Sequence, residues 1–359
     1  MKILHAADFH LDAPFAALPP SKGAQRRAEG RELLGRMAQL VREEGVDLVL
    51  LAGDLFDGET VYRETLTALI QALAAMKVPV LIAPGNHDPF TPHSPYATLS
   101  WPENVTIFTK ETVDSKPFPE LGCVVHGVGF TRSRVENDLW EGFSAPRDGL
   151  LHIGVAHADV CQSSSLYAPM SQSTLEETHL NYLALGHIHT PSGLQRAGST
   201  AWAYPGCPEG RGFDELGDRG CLLVHLEQDA VSAEFRPLAQ RRYLEVPVDV
   251  SEFPPLEAAE RALILQSPKN CVKLILTGPC DQAPDLDLLN RKLKDRVYAL
   301  RLVDRTHPKI DRDRQAQEDT LTGAFLRAMA RHPAAGSPQA DLALRFGLAA
   351  LEKGEDCRP

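Results

Sequence analysis

The stretch from Val46 to Asp57 constrains the fold more than any other, because an apolar run stops there at a glycine and two carboxylates. The run from Val46 to Ala52 shows little alternation, which is typical of a strand covered on both faces in a parallel or mixed sheet. Gly53 then allows a sharp turn. Because ligands bind outside the carboxyl ends of strands in open α/β sheets, we predict that Asp54 is a carboxylate shared by two metal ions.

Four further apolar runs also end in residues of the types that bind metal ions. One such junction would mean little, but five in one chain indicate polar side chains gathered where several strands end. The sequence therefore predicts a site built from carboxylate, amide and imidazole groups. In chain order, the four ends carry Asp8-Phe9-His10, Asn86-His87-Asp88, His157 and His187-Ile188-His189.

This ordered set resembles the five motifs of the calcineurin-like metallophosphoesterases, and the resemblance runs from Met1 to about Arg236. It implies an α/β fold of the metallophosphoesterase αββα sandwich type, in which two sheets are flanked by helices. It also implies two divalent metal ions, each held by four of the motif residues. By resemblance one ion is held by Asp8, His10, Asp54 and His189, and the other by Asp54, Asn86, His157 and His187.

The ligand types and their neighbours also indicate a chemistry. Nitrogen and oxygen ligands without a thiolate favour manganese, with iron or zinc as alternatives. Two ions about 3.5–4 Å apart can clamp the attacking and leaving oxygens of a phosphate ester. His87 is interpreted as the general acid, because the pKa of an imidazole lies near working pH. In the family the counterpart of Asp57 orients that histidine, and the alternative is that Asp57 only caps a turn.

The pattern of short strands and helices changes after about residue 240, which predicts separate parts of the chain. We expect a metallophosphoesterase domain over 1–240, a small α/β capping domain over 241–305, and a linker with terminal helices over 306–359. The terminal helices, predicted over Asp319 to Arg331 and Gln339 to Lys353, each carry an apolar stripe. Such a stripe docks on a partner or, alternatively, packs within its own chain.

The motifs do not choose among substrates, so evidence for the substrate comes from elsewhere in the chain. The capping domain resembles one that nuclease members carry, and the loop from Tyr204 to Glu215 resembles one in bacterial SbcD-like and YhaO-like DNA repair exonucleases. In that loop Gly210 and Arg211 are predicted to contact the substrate phosphate, although a simple hairpin connection is the alternative.

The resemblance to these nucleases implies a 3′-to-5′ DNA exonuclease with endonuclease activity, acting in double-strand break repair. It also implies an SbcC-type coiled-coil ATPase as partner, and homodimerisation is a further expectation. A phosphodiesterase for a cyclic or small nucleotide is the alternative, which the net charge of -11 favours. That charge argues mildly against coating DNA by bulk attraction, but metal ions reverse the local field at a site.

Length and composition set the remaining bounds. A chain of 359 residues fits about two domains. No apolar run approaches the roughly 20 residues that span a bilayer, and the sequence leads directly into a strand, so we expect a cytoplasmic protein without membrane association. The seven cysteines are scattered without a C-x-x-C pair and are predicted to be reduced.

Overall fold

The computed structural model describes residues 1–58, 60–160, 164–309 and 312–353. The chain forms two compact units. The first comprises Met1–Leu244 and Lys269–Cys271, and the second comprises Glu245–Pro268 and the chain from Val272 onward. The domain boundaries expected near residues 240 and 305 stay a prediction.

Two six-stranded mixed sheets and a two-stranded sheet account for the strands of the first unit. In chain order these strands are β1 (Lys2–Ala6), β2 (Leu48–Leu51), β3 (Val80–Ile82), β4 (Val105–Ile107), β5 (Asp114–Phe118), β6 (Cys123–Gly127), β7 (Leu151–His157), β8 (Asp159–Val160), β9 (Pro169–Met170), β10 (Tyr182–Gly186), β11 (Gln195–Ala197), β12 (Thr200–Ala203), β13 (Gly220–Leu226) and β14 (Val231–Pro237). The first sheet has the order β14-β13-β1-β2-β3-β4 and the second β11-β12-β10-β7-β6-β5, while β8 pairs with β9.

Helices connect several of these strands. In chain order they are α1 (Pro20–Glu44), α2 (Arg63–Met76), α3 (Pro95–Thr98) and α4 (Gln172–Glu177), with a short 3-10 helix at Pro119–Leu121. The long α1 begins at Pro20, where proline suits the first helical position because its missing N–H has no partner to lose. It ends at Gly45, which has a φ of 61°.

Strand β2 explains how the two sheets pack. Its Val49 and Leu51 point into one buried cluster with Leu33 and Leu69, from helices α1 and α2. Its Leu48 and Leu50 point into a second cluster with residues of the second sheet, among them Ile153, Val155 and Tyr182. All four strand side chains are fully buried, so the first sheet lies between helices and the second sheet. The predicted αββα fold class is confirmed.

The parallel strands bring their carboxyl ends to common edges. Strands β1, β2 and β3 are parallel neighbours, so the loops that follow them, with Asp8, Asp54 and Asn86, start side by side. In the second sheet β7 and β10 are parallel neighbours whose last paired residues are His157 and Gly186. This arrangement places the five predicted motifs at one end of the two sheets.

The second unit is built around a three-stranded sheet of order β15-β16-β17, formed by β15 (Tyr243–Asp249), β16 (Cys271–Cys280) and β17 (Ala299–Pro308). Its helices are α5 (Pro255–Ile264), α6 (Leu286–Leu293), α7 (Arg312–Gln317), α8 (Leu321–Arg331) and α9 (Pro338–Lys353). Leu263 and Leu289 pack against buried residues of β16 such as Leu274. The sheet and its first two helices thus have their own core.

The apolar stripes of α8 and α9 meet each other. Leu326 of α8 and Leu344 and Leu348 of α9 form a small buried cluster, with Phe325 packed against it. This contact agrees with the alternative of packing within the chain, and docking on a partner stays a prediction. The segment predicted over 306–359 is described only as far as residue 353 and without residues 310 and 311.

Two further expectations concern the cysteines and the membrane. Five cysteines are buried free thiols, whereas Cys161 and Cys357 lie outside the described residues. The five thiols belong to Cys123, Cys207, Cys221, Cys271 and Cys280. Among the described helices, none combines the length and the apolar character that crossing a bilayer requires.

Candidate metal centre

Six of the predicted site residues converge at the ends of the strands. They form three overlapping groups in which one ligand atom from each residue lies within 4.8 Å of the others. The groups are Asp8 with His10 and His189, His10 with Asp54 and His87, and Asp8 with Asp54 and His157. Sharing of Asp8, His10 and Asp54 between groups joins all six residues into one cluster.

The backbone at the site adopts conformations that ordinary residues rarely take. Asp8, His10, Asp54 and His187 have φ values of 56°, 44°, 49° and 109°. Positive φ costs an L-residue of order 1–3 kcal/mol, and such residues cluster at functional sites. Four predicted ligands therefore sit on backbone that the surrounding structure holds in strained positions.

Glycines let the loops approach closely enough to bring these ligands together. Gly85 lies against Asp54, so that a Cβ at this position would overlap the carboxylate. Gly53, with a φ of 88°, lies in the same way against the ring of His157. A Cβ on Gly186 would overlap the carbonyl oxygen of Ala52. Each glycine therefore stands where a larger residue would displace a neighbouring loop.

The rings of His10 and His189 face each other through their Nε2 nitrogens. His10 Nδ1 lies 3.1 Å from Asp57 Oδ1, and His189 Nδ1 lies 2.7 Å from Glu215 Oε1. Because a carboxylate can only accept, each Nδ1 donates to its carboxylate, and in the neutral form of each ring the Nε2 keeps its lone pair. His189 Nδ1 also lies 3.0 Å from Arg211 Nη2. The two Nε2 atoms are 3.1 Å apart, with Asp8 Oδ1 3.9 Å from that of His189. These acceptors converge as ligands around a cation do.

A second convergence of acceptors surrounds His157. Its Nδ1 donates to the carbonyl oxygen of Ala52 at 3.0 Å, so its Nε2 also keeps the lone pair. That Nε2 lies 2.9 Å from Asn86 Oδ1 and 3.5 Å from Asp54 Oδ2. Asp54 Oδ2 is also 3.7 Å from His10 Nε2, so the carboxylate of Asp54 stands between the two convergences.

His187 approaches the cluster mainly through its backbone. Its N–H donates to Asp8 at 3.1 and 3.2 Å to the two carboxylate oxygens. Its ring is 5.2 Å from that of His157, centroid to centroid, and its Nε2 is 4.0 Å from Asp159 Oδ2. Among the described residues, His187 belongs to none of the three groups of possible ligands. It lies beside the cluster, and its role as a ligand stays a prediction.

Burial keeps three imidazoles of the site in the neutral form that metal binding needs. It lowers the pKa of His10 to about 4, of His157 to about 3 and of His187 to about 4, so these imidazoles are neutral at pH 7. Burial, and then the charge of Asp54, raises the pKa of Asp8 well above its usual value. A divalent cation among two buried carboxylates and neutral imidazoles would relieve that repulsion, so the donor set fits such ions.

The predicted pair of His87 and Asp57 lies at the open side of the site. His87 is exposed, and its ring packs edge-on against that of His10 with 4.7 Å between centroids. Its Nδ1 lies 3.4 Å from the backbone oxygen of Asp57, whereas the carboxylate of Asp57 accepts from His10. The neighbour that faces His87 is thus the main chain of Asp57, and orientation by its side chain stays a prediction.

The predicted substrate residues Gly210 and Arg211 have contacts within the protein. The carbonyl oxygen of Gly210 accepts from Arg26 Nη2 at 2.8 Å. Arg211 donates to Asp57 Oδ1 at 3.3 Å and to Glu215 Oε1 at 2.9 Å, and 24% of its side chain stays exposed. Its backbone N–H, expected to face a phosphate, donates to Glu215 Oε2 at 2.6 Å. Contact with a phosphate stays a prediction for both residues.

Two residues with clear roles at the site received none from the sequence. Glu215 holds His189, and the only available signal was an acidic residue four positions after Arg211. Asp88 accepts from the backbone N–H groups of Gly85 and Phe56 at 2.8 and 3.0 Å, which ties two ligand-bearing loops together. Burial, and then the charge of Asp54, raises the pKa of Asp88 to about 7. The sequence signal for Asp88 was its position directly after Asn86 and His87.

Comparison of the chain with known proteins identifies a family and several relatives. Residues 1–191 match the family model described as calcineurin-like phosphoesterase. The chain is 29% identical over 379 residues to YhaO of Bacillus subtilis (strain 168), described as an uncharacterized metallophosphoesterase, and the match covers 93% of this chain and 91% of YhaO.

A second relative is more specific in its description. The chain is 28% identical over 252 residues to the DNA double-strand break repair protein Mre11 of Saccharolobus solfataricus, covering 64% of this chain and 61% of that protein. Among solved structures, a dimetal phosphatase from Danio rerio matches with a TM-score of 0.43 at 12% identity, over 66% of this chain and 96% of that chain.

Proposed function

The chain belongs to the calcineurin-like phosphoesterase family, and we propose that it is a 3′-to-5′ DNA exonuclease that uses two divalent metal ions. Endonuclease activity and a role in double-strand break repair are part of the proposal. The observation that supports a hydrolase is the convergence of imidazole nitrogens and carboxylates around His10, Asp54 and His157. The similarity to the repair protein Mre11 supports DNA as the substrate.

The proposed ligand sets follow the two convergences. Asp8, His10, Asp54 and His189 would hold one ion, which we name position A, and Asp54, Asn86, His157 and His187 would hold the other, position B. Manganese suits this mixture of nitrogen and oxygen ligands, with iron or zinc as alternatives. When bound, two such ions stabilise the attacking and leaving oxygens of a phosphodiester.

His87 is the proposed general acid. Its exposed ring lies at the rim of the cluster, where the leaving oxygen of a bound phosphodiester could be reached. Its Nδ1 faces the carbonyl oxygen of Asp57, so that Nε2 is directed elsewhere and is available for proton transfer. Donation of a proton from Nε2 to the leaving oxygen stabilises the leaving group and typically contributes about 10² to 10⁴ in rate.

Arg211 and Gly210 are the proposed substrate contacts. The partly exposed guanidinium of Arg211 lines a cavity of about 280 Å³ next to the cluster, together with Phe15 and Gly212. A phosphate of the DNA backbone beside the scissile one would meet its positive charge there. Gly210 is buried, with the carbonyl oxygen of Glu215 and the ring of Tyr243 on the side that a side chain would occupy, so its proposed contact rests on the resemblance of the loop alone.

A phosphodiesterase for a cyclic or small nucleotide is the second candidate. The net charge of -11 favours it, because binding a long polyanion normally relies on lysine and arginine. The two candidates share the metal centre and the general acid. They differ in which phosphodiester the purified protein turns over.

Digestion of end-labelled duplex DNA in the presence of Mn²⁺ tests the proposal. We expect shortening from the 3′ end, loss of activity with a chelator, and recovery that is better with Mn²⁺ than with Mg²⁺. A cyclic nucleotide assayed in parallel is the comparison. Turnover of the cyclic nucleotide with intact DNA would favour the second candidate, and shortening from the 5′ end would refute the polarity.

We also propose how the rest of the chain contributes. Residues 1–240 would form the nuclease domain, 241–305 the capping domain and 306–359 a segment that binds an SbcC-type ATPase in the cytoplasm, with the nuclease as a homodimer. Truncation after Asp304 should leave a manganese-dependent nuclease that no longer co-purifies with the ATPase. An insoluble product would indicate that the residues after Asp304, which include the end of β17 as well as the terminal helices, are needed by the chain itself.

A further inference from the structure

We propose that Glu215, Arg211 and Asp57, which we name the outer support, hold the two imidazoles of metal position A and set its affinity separately from that of position B. The inference rests on the proposed function, because it takes over the assignment of ligands to the two positions. It gives Glu215 a positioning role, and it gives Arg211 and Asp57 roles that differ from contact with substrate or with His87.

The two imidazoles of position A are backed by carboxylates. Glu215 Oε1 accepts from His189 Nδ1 at 2.7 Å, and Asp57 Oδ1 accepts from His10 Nδ1 at 3.1 Å. Such partners fix the tautomer and the orientation of the ring and make the ligating nitrogen more basic. Glu215 is only 3% exposed, so solvent screens this contact little.

Arg211 joins the two carboxylates into one unit. Its Nη1 donates to Asp57 Oδ1 at 3.3 Å and its Nη2 to Glu215 Oε1 at 2.9 Å. The planar guanidinium presents donors in a fixed fork, so one side chain can hold two acceptors in a defined relation. Burial alone would raise the pKa of Glu215, but the bonds from His189 and Arg211 bring it far below its usual value.

The loop that carries Arg211 is itself anchored to helix α1. Arg26, which is 1% exposed, donates from Nη2 to the carbonyl oxygen of Gly210 at 2.8 Å and to Glu209 Oε1 at 2.9 Å. Its Nη1 donates to Glu29 Oε2 at 2.6 Å. The two residues directly before Arg211 are therefore fixed by a buried, paired charge, which makes the outer support rigid.

Position B has no comparable backing among the described residues. The partner of His157 Nδ1 is the neutral carbonyl oxygen of Ala52. The nearest carboxylate to the ring of His187, from Asp159, is 4.0 Å from Nε2, which is beyond hydrogen-bond distance. A change in the outer support should therefore affect one metal equivalent and spare the other.

Whether replacement of Arg211 weakens or tightens metal binding tells whether this residue acts by positioning the two carboxylates or by its charge. Removing a cation near a metal position would by itself tighten metal binding, because a repulsion is lost. Loss of positioning would weaken it. Lysine keeps the charge but cannot hold both carboxylates in the same fork, so Arg211→Lys should weaken position A if positioning dominates.

The test is a calorimetric titration of the full-length, chelator-treated protein with Mn²⁺. We expect two equivalents for the wild type. For Glu215→Gln, Arg211→Lys and Arg211→Gln we expect one equivalent weakened by roughly 10- to 100-fold and the other unchanged. The matched control is Glu257→Gln, which removes the charge of a glutamate that pairs with Arg261, at 2.7 Å, within helix α5 of the second unit. This variant should titrate as the wild type does. Circular dichroism of each metal-free variant checks that it is folded.

The outcomes separate this inference from the proposed function. A wild type that takes up no manganese overturns both. If the wild type binds two equivalents and the variants titrate identically, the inference about the outer support is overturned and the proposed function stands. A variant that changes the KM for DNA without changing the metal affinity overturns the inference in the same way. Tightening in Arg211→Gln would show that the residue acts by its charge. If Glu215→Gln does not fold, the partly exposed Arg211→Lys decides the matter.

Discussion

The Nδ1 nitrogen of His10 lies 3.1 Å from the Oδ1 oxygen of Asp57, 47 positions further along the chain. The sequence predicted instead that Asp57 orients His87. The geometry gives the carboxylate to His10 and the backbone carbonyl of Asp57 to His87. A side chain that was expected to orient the general acid is therefore placed to hold His10, a proposed metal ligand.

We predict that Asp57→Asn shifts the Mn²⁺ requirement. An amide at this position is a weaker acceptor for His10, so half-maximal activity should need roughly 10- to 100-fold more Mn²⁺ while the maximal rate is largely restored. Activity measured as a function of Mn²⁺ concentration checks this. A lower maximal rate at an unchanged Mn²⁺ requirement would instead support the role in orienting His87.

His87→Ala should separate chemistry from metal binding. Removal of a general acid should lower the rate on DNA by about 10² to 10⁴, while metal content and DNA affinity stay as in the wild type. A nitrophenyl phosphodiester needs no proton on its leaving group and should be spared much of the loss. Equal losses on both substrates would contradict the assignment and would indicate that His87 supports the metals or the phosphate.

Gly85→Ala should damage the site without unfolding the protein. The new Cβ would overlap the carboxylate of Asp54, which must then move away from its place between the two convergences. We expect a lower metal content and loss of hydrolysis, measured by elemental analysis and DNA digestion. Gly35→Ala is the matched control, because this exposed position in α1 has open space around it. That change should stabilise the helix by about 0.5–1 kcal/mol and leave activity unchanged. Full metal content in Gly85→Ala would refute the argument.

Acid should destabilise the first unit in part through His126. Burial, and then the charge of His152, lowers its pKa from 6.5 to about 4. In the unfolded chain His126 binds a proton below about pH 6.5, whereas in the folded protein it stays neutral until about pH 4. The free energy of unfolding therefore has its full value above pH 6.5 and falls as the pH decreases from 6.5 to 4. The loss is on the order of 3 kcal/mol at the acid end.

Replacing His126 tests this origin of the acid sensitivity. Its ring bonds to Ser115 Oγ at 2.8 Å and to His152 Nδ1 at 2.9 Å, and His152 in turn contacts Asp148 at 3.0 Å. In His126→Gln, stability measured by urea unfolding at pH 7 and pH 5 should differ less than in the wild type. An equal or steeper loss in the variant would place the sensitivity elsewhere, for example at the buried His5.

The sequence predicted the strand ends well because their information is local. A run such as Leu48 to Leu51 is buried on both faces, and the residues directly after it must lie at the edge of the sheet. The contact between His189 and Glu215 was out of reach, because it depends on how the loop between them returns. The contact between Asp57 and His10 was not predicted for a similar reason, since the path of two loops decides which imidazole the carboxylate meets.

The predicted ends of helices and strands were less accurate where a residue suits both a loop and the neighbouring element. The apolar periodicity predicts a helix from about Ala24 to Glu44, whereas α1 begins at Pro20, because proline both ends a loop and starts a helix. The sequence predicts a strand over Val297 to Val303, whereas β17 continues to Pro308, where charged residues extend an exposed strand without an apolar pattern. Apolar periodicity marks the buried parts of elements and leaves such exposed extensions unmarked.

The metal content of Asp54→Asn compared with that of the wild type tests the central claim most directly. Asp54 Oδ2 lies 3.7 Å from His10 Nε2 and 3.5 Å from His157 Nε2, so this carboxylate faces both proposed positions. After dialysis against Mn²⁺ and removal of free metal, elemental analysis should find two equivalents in the wild type and clearly fewer in the variant, which should not hydrolyse DNA. Two full equivalents in Asp54→Asn would contradict the claim that this residue joins two metal ions in one catalytic centre.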